Sequence, residues 1–572
     1  MSENKVTVFG KNAEERLEIL RDEKGNILLT DDQKRAVLER GRILVSASAG
    51  SGKTSTMVKR IIVMISEGTT LKNLLVLVYN NAAADELKEK LHQELFKAAC
   101  ASSGEKRDRF RQEIDELPFC HICTIHAFCQ SLIRENFDKL GISPTFDVLD
   151  ETRHASYMNR ALDDVIATYT ASGDETFCEL ADIFSQSRKE ENLKSNLIKF
   201  YGLIEIQPDE EELERCVSEC YDSYENSKFF AILQDYYKTF FANAKNALLP
   251  IKTQLEVLAP TSKYLQSLAV AICFCDEIES KSRLFDMCTL ASKYEKPRAT
   301  VSPKASDEEK LLVGYVKDYL KQFHDAIDEM KEICNRQDSL ESAHEQNSKY
   351  VKKLVEVAQT FAKKLEELKQ EDNVLSFEDL QHKALELLSH DEYELSGDFD
   401  AVFVDEYQDV NPTQEAIIRK LVKGECFMVG DVKQSIYGFR LADPAIFISR
   451  QNAYEESVKE GTNVYFNRNF RSAYGILDFV NGVFDSAMTK ASADVDYKKD
   501  ARFELKDVAP VKLEGVSPEG YVQVHLFVKQ KSESVPSFGL YDIEKDEGEE
   551  DDEASSQEGN FIASEIQRLV GR

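Results

Sequence analysis

Residues 43–56 read ILVSASAGSGKTST: an apolar, β-branched run, a string of small residues, then Lys53 and Thr54 opening an amphipathic segment. That order predicts a strand, a phosphate-binding loop and a helix. The small residues Ala47, Ser48, Ala49, Gly50, Ser51 and Gly52 let backbone N–H groups curl around a polyphosphate. Lys53 can reach the β- and γ-phosphates, and the Thr54 hydroxyl suits Mg²⁺. A helix that starts there, with Ser55 in its first turn, aims its positive dipole end at the same anion. The pattern G-x-x-x-x-G-K-[ST] is met with one departure, Ala47 in place of the first Gly. A Gly-rich turn ahead of an ordinary helix is the bland alternative.

A second stretch supplies the complementary chemistry. In DAVFVDEYQD, residues 400–409, an apolar strand delivers two adjacent carboxylates, Asp405 and Glu406. One can hold Mg²⁺ through water while the other polarises an attacking water, the division of labour that phosphoryl transfer requires. Downstream, the strand at 426–430 runs into a polar and aromatic loop. There Gln434 can sense a γ-phosphate, and Tyr437 and Phe439 offer either stacking platforms for unpaired bases or core packing. Phe470 and Arg471 fall at a strand-to-helix corner, from which an arginine can enter a neighbouring nucleotide site.

Other candidates are weaker taken singly. Gln33, in the first turn of a helix capped by Thr30 or Asp31, carries the donor and acceptor that match an adenine edge, and equally suits a surface. Tyr79 ends a buried strand, LLVLVY, and can stack on a base or pack. Thr124 and His126 are the polar members of an apolar stretch, and a lone His of this kind is often structural.

The elements that must position these residues are spread over 572 residues, enough for several domains. No apolar run approaches membrane length and the N-terminus lacks a secretory pattern, so a cytoplasmic protein without a membrane partner is expected. The twelve cysteines are irregularly spaced, and Cys120 and Cys123 have no second pair, so no cysteine metal cluster is predicted. The net charge of −31 argues against broad adhesion to nucleic acid, though not against a local groove. Between about 150 and 370 the pattern turns to long Glu- and Lys-rich helices. Apolar residues at steps of three and four from Leu312 to Cys334, and again from Tyr350 to Leu368, predict two long helices packed together.

In order, TDDQ, SAGSGKT, VYNNAAADEL, TIHAF, SFEDL, VDEYQD, GDVKQSIYGFR and NFRS resemble the UvrD/Rep group of superfamily 1 DNA helicases, from about residue 29 to 485. Within it, SASAGSGKT, GDVKQSIYGFRLADPAIF and FNRNFRS resemble the AddA type, helicase–nuclease subunits that pair with an AddB-like subunit. The resemblance implies ATP and Mg²⁺ as cofactors and DNA as partner. It implies Gln33 on adenine with Phe470 stacked there; Gly50, Gly52, Lys53 and Thr54 on phosphates; Asp405 on Mg²⁺; Glu406 as base; and Gln434 and Arg471 at the γ-phosphate. Tyr79, Thr124, His126, Tyr437, Phe439 and Arg440 fall where the group contacts single-stranded DNA. Translocation 3′ to 5′ is implied as well.

The fold class expected is α/β, a RecA-like P-loop domain with a large helical insertion and the start of a second RecA-like domain. The first domain is expected from residues 1–150 and 371–450, the insertion from 151–370, and the second domain from 451–572 with an acidic insert at 544–557. Tyr79-Asn80-Asn81-Ala82 departs from the group's usual Phe-Thr-Asn-Lys type, and the sequence stops at Arg572, before the group's later motifs. The expectation is a chain that binds ATP and single-stranded DNA but unwinds poorly alone.

Overall fold

The computed structural model describes residues 13–22, 24–184, 190–221, 224, 227–303, 305–390, 399–457, 459–489 and 496–505, together with 522, 562–564 and 566–568. The chain divides into two units, Met1–Gly520 and Tyr521–Arg572. In the second, residues 562–564 and 566–568 are helical. The acidic insert expected at 544–557 lies outside the described residues.

The first unit is built on β1 (Arg42–Ala47), β2 (Leu74–Val78), β3 (His121–Thr124), β4 (Asp147–Val148), β5 (Val374–Leu375), β6 (Ala401–Val404), β7 (Glu425–Gly430) and β8 (Thr462–Phe466). Six of these form one sheet in the order β3-β2-β6-β7-β1-β8, and every pair is parallel. A parallel sheet is covered by helices on both faces, so its strands must be apolar along their whole length. LLVLV of β2 and AVFV of β6 meet that demand and are buried throughout. Alternate residues feed opposite cores. Leu74 and Val76 join one apolar cluster with Met57, Val58 and Ile61 from the helix Lys53–Ser66, while Leu75 and Leu77 join the other with Phe128, Leu132 and Leu380.

The same topology corrects two expectations. Strand β8 is the sixth strand of this sheet, with Leu44 opposite Asn463 and Val45 opposite Val464, so the expected boundary at 450/451 falls inside the first sheet. Its apolar residues Val464 and Phe466 are buried in the same core as Ile43 and Val45, which is why it cannot open a separate domain. The two long helices are present as Asp307–Asn335 and Gln337–Glu371, but they serve different cores. Phe323, Ile327 and Met330 pack with Phe241 and Phe274, whereas Phe361, Leu365 and Leu368 pack with Leu162 and Phe177. Only Arg336 separates them, and a one-residue joint leaves no loop for folding back.

The strands on either side of the helical insertion pair with each other. Asp147 pairs with Val374 and Val148 with Leu375, so β4 and β5 form a two-stranded parallel ribbon at the point of departure. Among the described residues, no helix is long and apolar enough to cross a membrane.

The helix that follows the small-residue loop is anchored from below by Arg60, which is fully buried. Its guanidinium donates to the carbonyls of Ala36 (2.7 Å) and Glu39 (2.6 Å) and to Glu425 Oε2 (3.0 Å), joining the preceding helix to the edge of β7. Burial pulls this guanidinium down to about 10. Arg60→Leu strands those acceptors in the interior, and a loss of at least about 2 kcal/mol of stability is expected. Because the chain has no Trp, chemical denaturation followed by circular dichroism is the measurement. An unchanged midpoint would contradict this role.

Candidate functional site

The loop between β1 and the helix Lys53–Ser66 is shaped by two positive-φ glycines, Gly50 (+69°) and Gly52 (+86°). Gly52 is the helix N-cap and offers no side chain, so no side-chain hydrogen bond closes the helix start. The first-turn N–H groups and the dipole are therefore presented at the sheet's C-terminal edge, as anion sites require. Inside the loop, the Ser51 N–H and hydroxyl both donate to the Ser48 carbonyl, at 3.2 and 2.6 Å. Ala47 is fully buried at the end of β1, Ser48 is also buried, Ala49 is half-buried and Ser55 is exposed.

Among the described residues, the Gln33 helix, the corner at 469–470 and Lys433 hold this loop. Gln33 is buried: its Oε1 accepts from Thr30 N (3.0 Å) within a capping box, and its Nε2 donates to the Ser51 carbonyl (3.0 Å). One N–H and one lone pair of the amide remain for an adenine edge. At the other side, Asn469 Nδ2 donates to the Ala49 carbonyl (2.7 Å) and Phe470 N donates to the Gly50 carbonyl (2.8 Å). Asn469 Oδ1 also accepts from Arg471 N and Ser472 N. Phe470 and Arg471 are thus held beside Gly50 with exposed side chains. A Cβ on Gly50 would sit 2.8 Å from the Arg471 Cβ.

The carboxylates lie at the end of β6. Lys53 Nζ donates to Glu406 Oε2 at 3.0 Å, and Gln408 Nε2 donates to the same oxygen at 3.0 Å. Glu406 is held in the left-handed region (φ +48°), which a residue with a Cβ seldom adopts. Gln408 also donates to Asp409 Oδ2 (3.0 Å), while its Oε1 accepts from Asp431 N (2.9 Å). Asp431 then receives Lys433 Nζ (2.7 Å) and Gln434 Nε2 (2.7 Å), and Lys433 Nζ returns to Ser48 Oγ at 3.4 Å. Gln434, expected at a γ-phosphate, is committed to Asp431 here. Sequence reasoning missed Gln408, Asp431, Lys433 and Asn469, although all four lie inside the motifs VDEYQD, GDVKQ and NFRS.

Burial and the neighbouring Glu406 push Asp405 and Asp409 up, each to about 6, against the opposing charge of Lys53. Asp409 Oδ1 is buried without a hydrogen-bond partner among the described residues. Two raised carboxylates at the end of β6, one with an oxygen that has no hydrogen-bond partner among the described residues, are oxygen donors that fit a divalent cation.

Tyr79, Thr124, His126, Tyr437 and Phe439 line a cleft of about 470 Å³ that Asp405, Glu406 and Asp409 also border. Tyr79 and Tyr437 stack with ring centroids 4.9 Å apart, and Phe439 lies 5.8 Å from Tyr437 with 76% of its surface exposed. Thr124 caps the helix Ile125–Glu135. His126 Nε2 is 3.0 Å from Gln381 Nε2, its ring meets Phe377 edge-on, and burial lowers its proton affinity. Gln381 and Phe377 are two further lining residues that the sequence did not single out. Arg440 ends the short helix Gly438–Arg440, and its side chain lies outside the described residues.

The profile of the UvrD/REP helicase N-terminal domain matches residues 29–272 and 254–455. Among curated proteins, the chain is similar to the A-type subunit of the ATP-dependent helicase/nuclease of Enterococcus faecalis, 30% identical over 509 residues, covering 83% of this chain and 40% of that protein. The protein of that name from Bacillus velezensis is 30% identical over 574 residues, covering 95% and 45% respectively. The one from Staphylococcus haemolyticus is 26% identical over 564 residues, covering 95% and 44%. The chain therefore spans less than half the length of these relatives.

The raised carboxylates give opposite pH trends for binding and stability. Their folded pKa values lie above the unfolded value near 4, so the protein without ligand gains stability from these groups as pH falls from about 7 towards 4. Binding of a metal–nucleotide complex needs them ionised, and its affinity should fall below pH about 6. Titration with a fluorescent nucleotide and Mg²⁺ across that range is the check, and a flat affinity profile would refute it.

Proposed function

Because the chain belongs to the UvrD/REP helicase family, we propose that it is the ATP-hydrolysing motor portion of a DNA helicase that acts in double-strand-break repair. On this reading it moves 3′ to 5′ along single-stranded DNA, in the cytoplasm, beside an AddB-like subunit. The observation that carries the proposal is the cleft in which stacked Tyr79 and Tyr437 share a wall with Asp405 and Glu406.

The chemistry follows from the resting contacts. ATP enters with its phosphates over the start of the helix Lys53–Ser66 and its base between Gln33 and Phe470. Lys53 turns from Glu406 to the β- and γ-phosphates. Glu406 Oε2 keeps the Gln408 hydrogen bond, and a carboxylate relieved of its lysine partner accepts a proton from water. That water attacks the γ-phosphorus while the bond to the β–γ bridging oxygen breaks, giving ADP and phosphate. Thr54 and Asp405 would hold the Mg²⁺, which supplies charge neutralisation at the phosphates. Arg471, fixed beside Gly50 through Asn469, is within the same loop system and serves as the in-cis arginine of the transferring group.

Coupling to DNA runs through the loop after β7. Asp431, Lys433 and Gln434 belong to the carboxylate network, and three residues on stands Tyr437 in the cleft. Ser435 Oγ lies 3.4 Å from the Gln408 carbonyl, a direct tie between the two. A change of partner at Glu406 is thereby transmitted to the ring that stacks on Tyr79. Bases replacing or extending that stack would report strand occupancy in the opposite direction.

Steady-state ATP hydrolysis with and without single-stranded DNA is the deciding experiment. Glu406→Gln should retain ATP binding and lose about 10²- to 10⁴-fold in turnover, while Lys53→Ala should lose nucleotide affinity as well. Tyr437→Ala should weaken oligonucleotide binding by about 1–3 kcal/mol, measured by fluorescence anisotropy. ATP turnover indifferent to DNA, together with unaltered binding by the Tyr437 variant, would sink the proposal. If DNA binds and stimulates nothing while ATP still binds, the chain is a nucleotide-regulated clamp instead.

A further inference from the structure

On the reading that unpaired bases stack in the aromatic cleft, we propose that Gln381 and Asn411 act as positioning residues. They hold His126 as the neutral Nδ1–H tautomer, and the cleft thereby offers the strand one uncharged N–H donor.

The direction of each hydrogen bond in this chain of side chains is set from the main chain. Asn411 caps the helix Pro412–Leu421, and its Oδ1 accepts from the Gln414 N–H at 2.8 Å. A backbone N–H can only donate, so the oxygen of this amide is identified and Nδ2 is the atom that faces Gln381. It donates to Gln381 Oε1 at 3.2 Å. The Gln381 nitrogen then lies on the other side, 3.4 Å from the Phe377 carbonyl and 3.0 Å from His126 Nε2. The carbonyl fixes the same orientation from the opposite end, since it can only accept.

Both amides are buried, Gln381 at 3% exposure and Asn411 at 8%. Turning Gln381 over would set its NH₂ against the Asn411 NH₂ and its oxygen against the Phe377 carbonyl. Each such contact leaves a buried polar atom unpaired. The amide is therefore held in one sense, and its NH₂ requires a lone pair on His126 Nε2. An imidazolium, or a ring protonated at Nε2, would bring two donors face to face. The proton of the neutral ring is left on Nδ1. Burial, against the opposing charge of Glu378, lowers the ring's proton affinity in the same direction.

With Nε2 turned to Gln381, Nδ1 is the ring nitrogen left for an occupant of the cleft that His126 borders. Among the described residues no hydrogen bond reaches it. Glu151, Glu378, Asp405, Glu406 and Asp409 border the same cleft and disfavour phosphate there, so the acceptor that fits an uncharged N–H is a base oxygen or ring nitrogen. Asn411 stands two residues beyond Asp409. The orientation of the ring is thus referenced to the end of the carboxylate run.

The full chain labelled with ¹⁵N-histidine tests the tautomer by solid-state NMR, in which a bare ring nitrogen resonates far from a protonated one. Of nine histidines, His126 is identified by the resonances missing from His126→Leu. Nε2 is expected bare and Nδ1 protonated at neutral pH. Gln381→Glu presents only an acceptor, and Asn411→Asp keeps the cap while turning the Gln381 amide over, so each should move a proton onto Nε2. A role in packing alone would leave the ring nitrogens unchanged. A protonated Nε2 in the wild type, or a bare Nε2 in both variants, overturns the proposal.

Fluorescence anisotropy with a single-stranded oligonucleotide tests the donor. His126→Leu should bind about fivefold more weakly, the worth of one hydrogen bond, and His126→Asn, which returns an amide N–H near the place of Nδ1, about twofold or more tighter than His126→Leu. Because no charge is removed, both should keep the wild-type salt dependence. Equal affinity of wild type and His126→Leu overturns the donor role, as does a wild-type slope of log affinity against log salt steeper by about 0.7, the mark of a phosphate-paired cation. A wild type that shows the expected ring but binds no oligonucleotide overturns the strand-binding reading, and the donor role with it, while the tautomer stands.

Discussion

The side-chain amide of Gln408 is the joint on which the candidate nucleotide site depends. Its oxygen accepts the Asp431 N–H at the exit of β7, and its nitrogen donates to both Glu406 and Asp409 at the exit of β6. Neighbouring parallel strands in this sheet end at one edge, so one amide can span the two loops. The space is made by Gly430: a Cβ there would stand 2.5 Å from Gln408 Oε1 and 2.9 Å from the Phe447 ring. From Gln408 the connections run to Lys53 through Glu406, and to Ser48 through Asp431 and Lys433. The phosphate loop is thereby tied at both ends to the loops of two other strands, a closed circuit rather than a set of separate neighbours. In a partly buried setting such a circuit resists piecemeal rearrangement, since breaking one bond strands a polar atom.

That circuit also explains the strain at Glu406. A left-handed backbone at a residue with a Cβ costs roughly 1–2 kcal/mol, and nothing about the apolar run of β6 requires it. The bonds from Lys53 and Gln408 are what hold the residue there. On the proposed function Lys53 is also the cation that meets incoming phosphates, so nucleotide binding and the lysine–glutamate pair compete for one group. On the proposed function the resting pair is a latch: it keeps the base partnered until phosphate takes the lysine.

Much of this was legible in the sequence because the chemistry sits in contiguous motifs at strand ends. The run 43–56 announces strand, loop and helix by its own residue types, and 400–409 announces a strand that ends in carboxylates. Convergence of Tyr79 with Tyr437 was legible only in part, since each motif suggests stacking but not a partner 358 positions away; it took the sheet order β3-β2-β6-β7-β1-β8 to bring them together. Asn469 and Gln408 escaped because a polar residue that supports another polar residue carries no periodic or compositional signal. The boundary near 450 was misplaced for a related reason. Strand β8 reads the same whether it opens a new sheet or closes an old one, and only register with β1 decides. The separate packing of the two long helices was likewise invisible, because periodicity gives a buried face and not its occupant.

Electrostatics then sets the terms on which a chain of net charge −31 can engage a polyanion. The cleft that holds the aromatic residues is bordered by Glu151, Glu378, Asp405, Glu406 and Asp409, and no Lys or Arg is among its described lining residues. Among the described lining residues, counterion release, the usual source of affinity for nucleic acid, has little to work with. Stacking does not need charge: each base offers a π-face whatever its sequence, and exposed Phe439 beside the Tyr79–Tyr437 pair extends the platform. On the proposed function, the acidic residues described there would turn the phosphate chain of a single strand outward and leave its bases to the aromatic rings. On the same reading, double-stranded DNA, whose bases are already stacked on one another, gains little from such a surface. On the proposed function, such a lining favours unpaired strands, because the stacking it offers is open only to bases that are not already stacked.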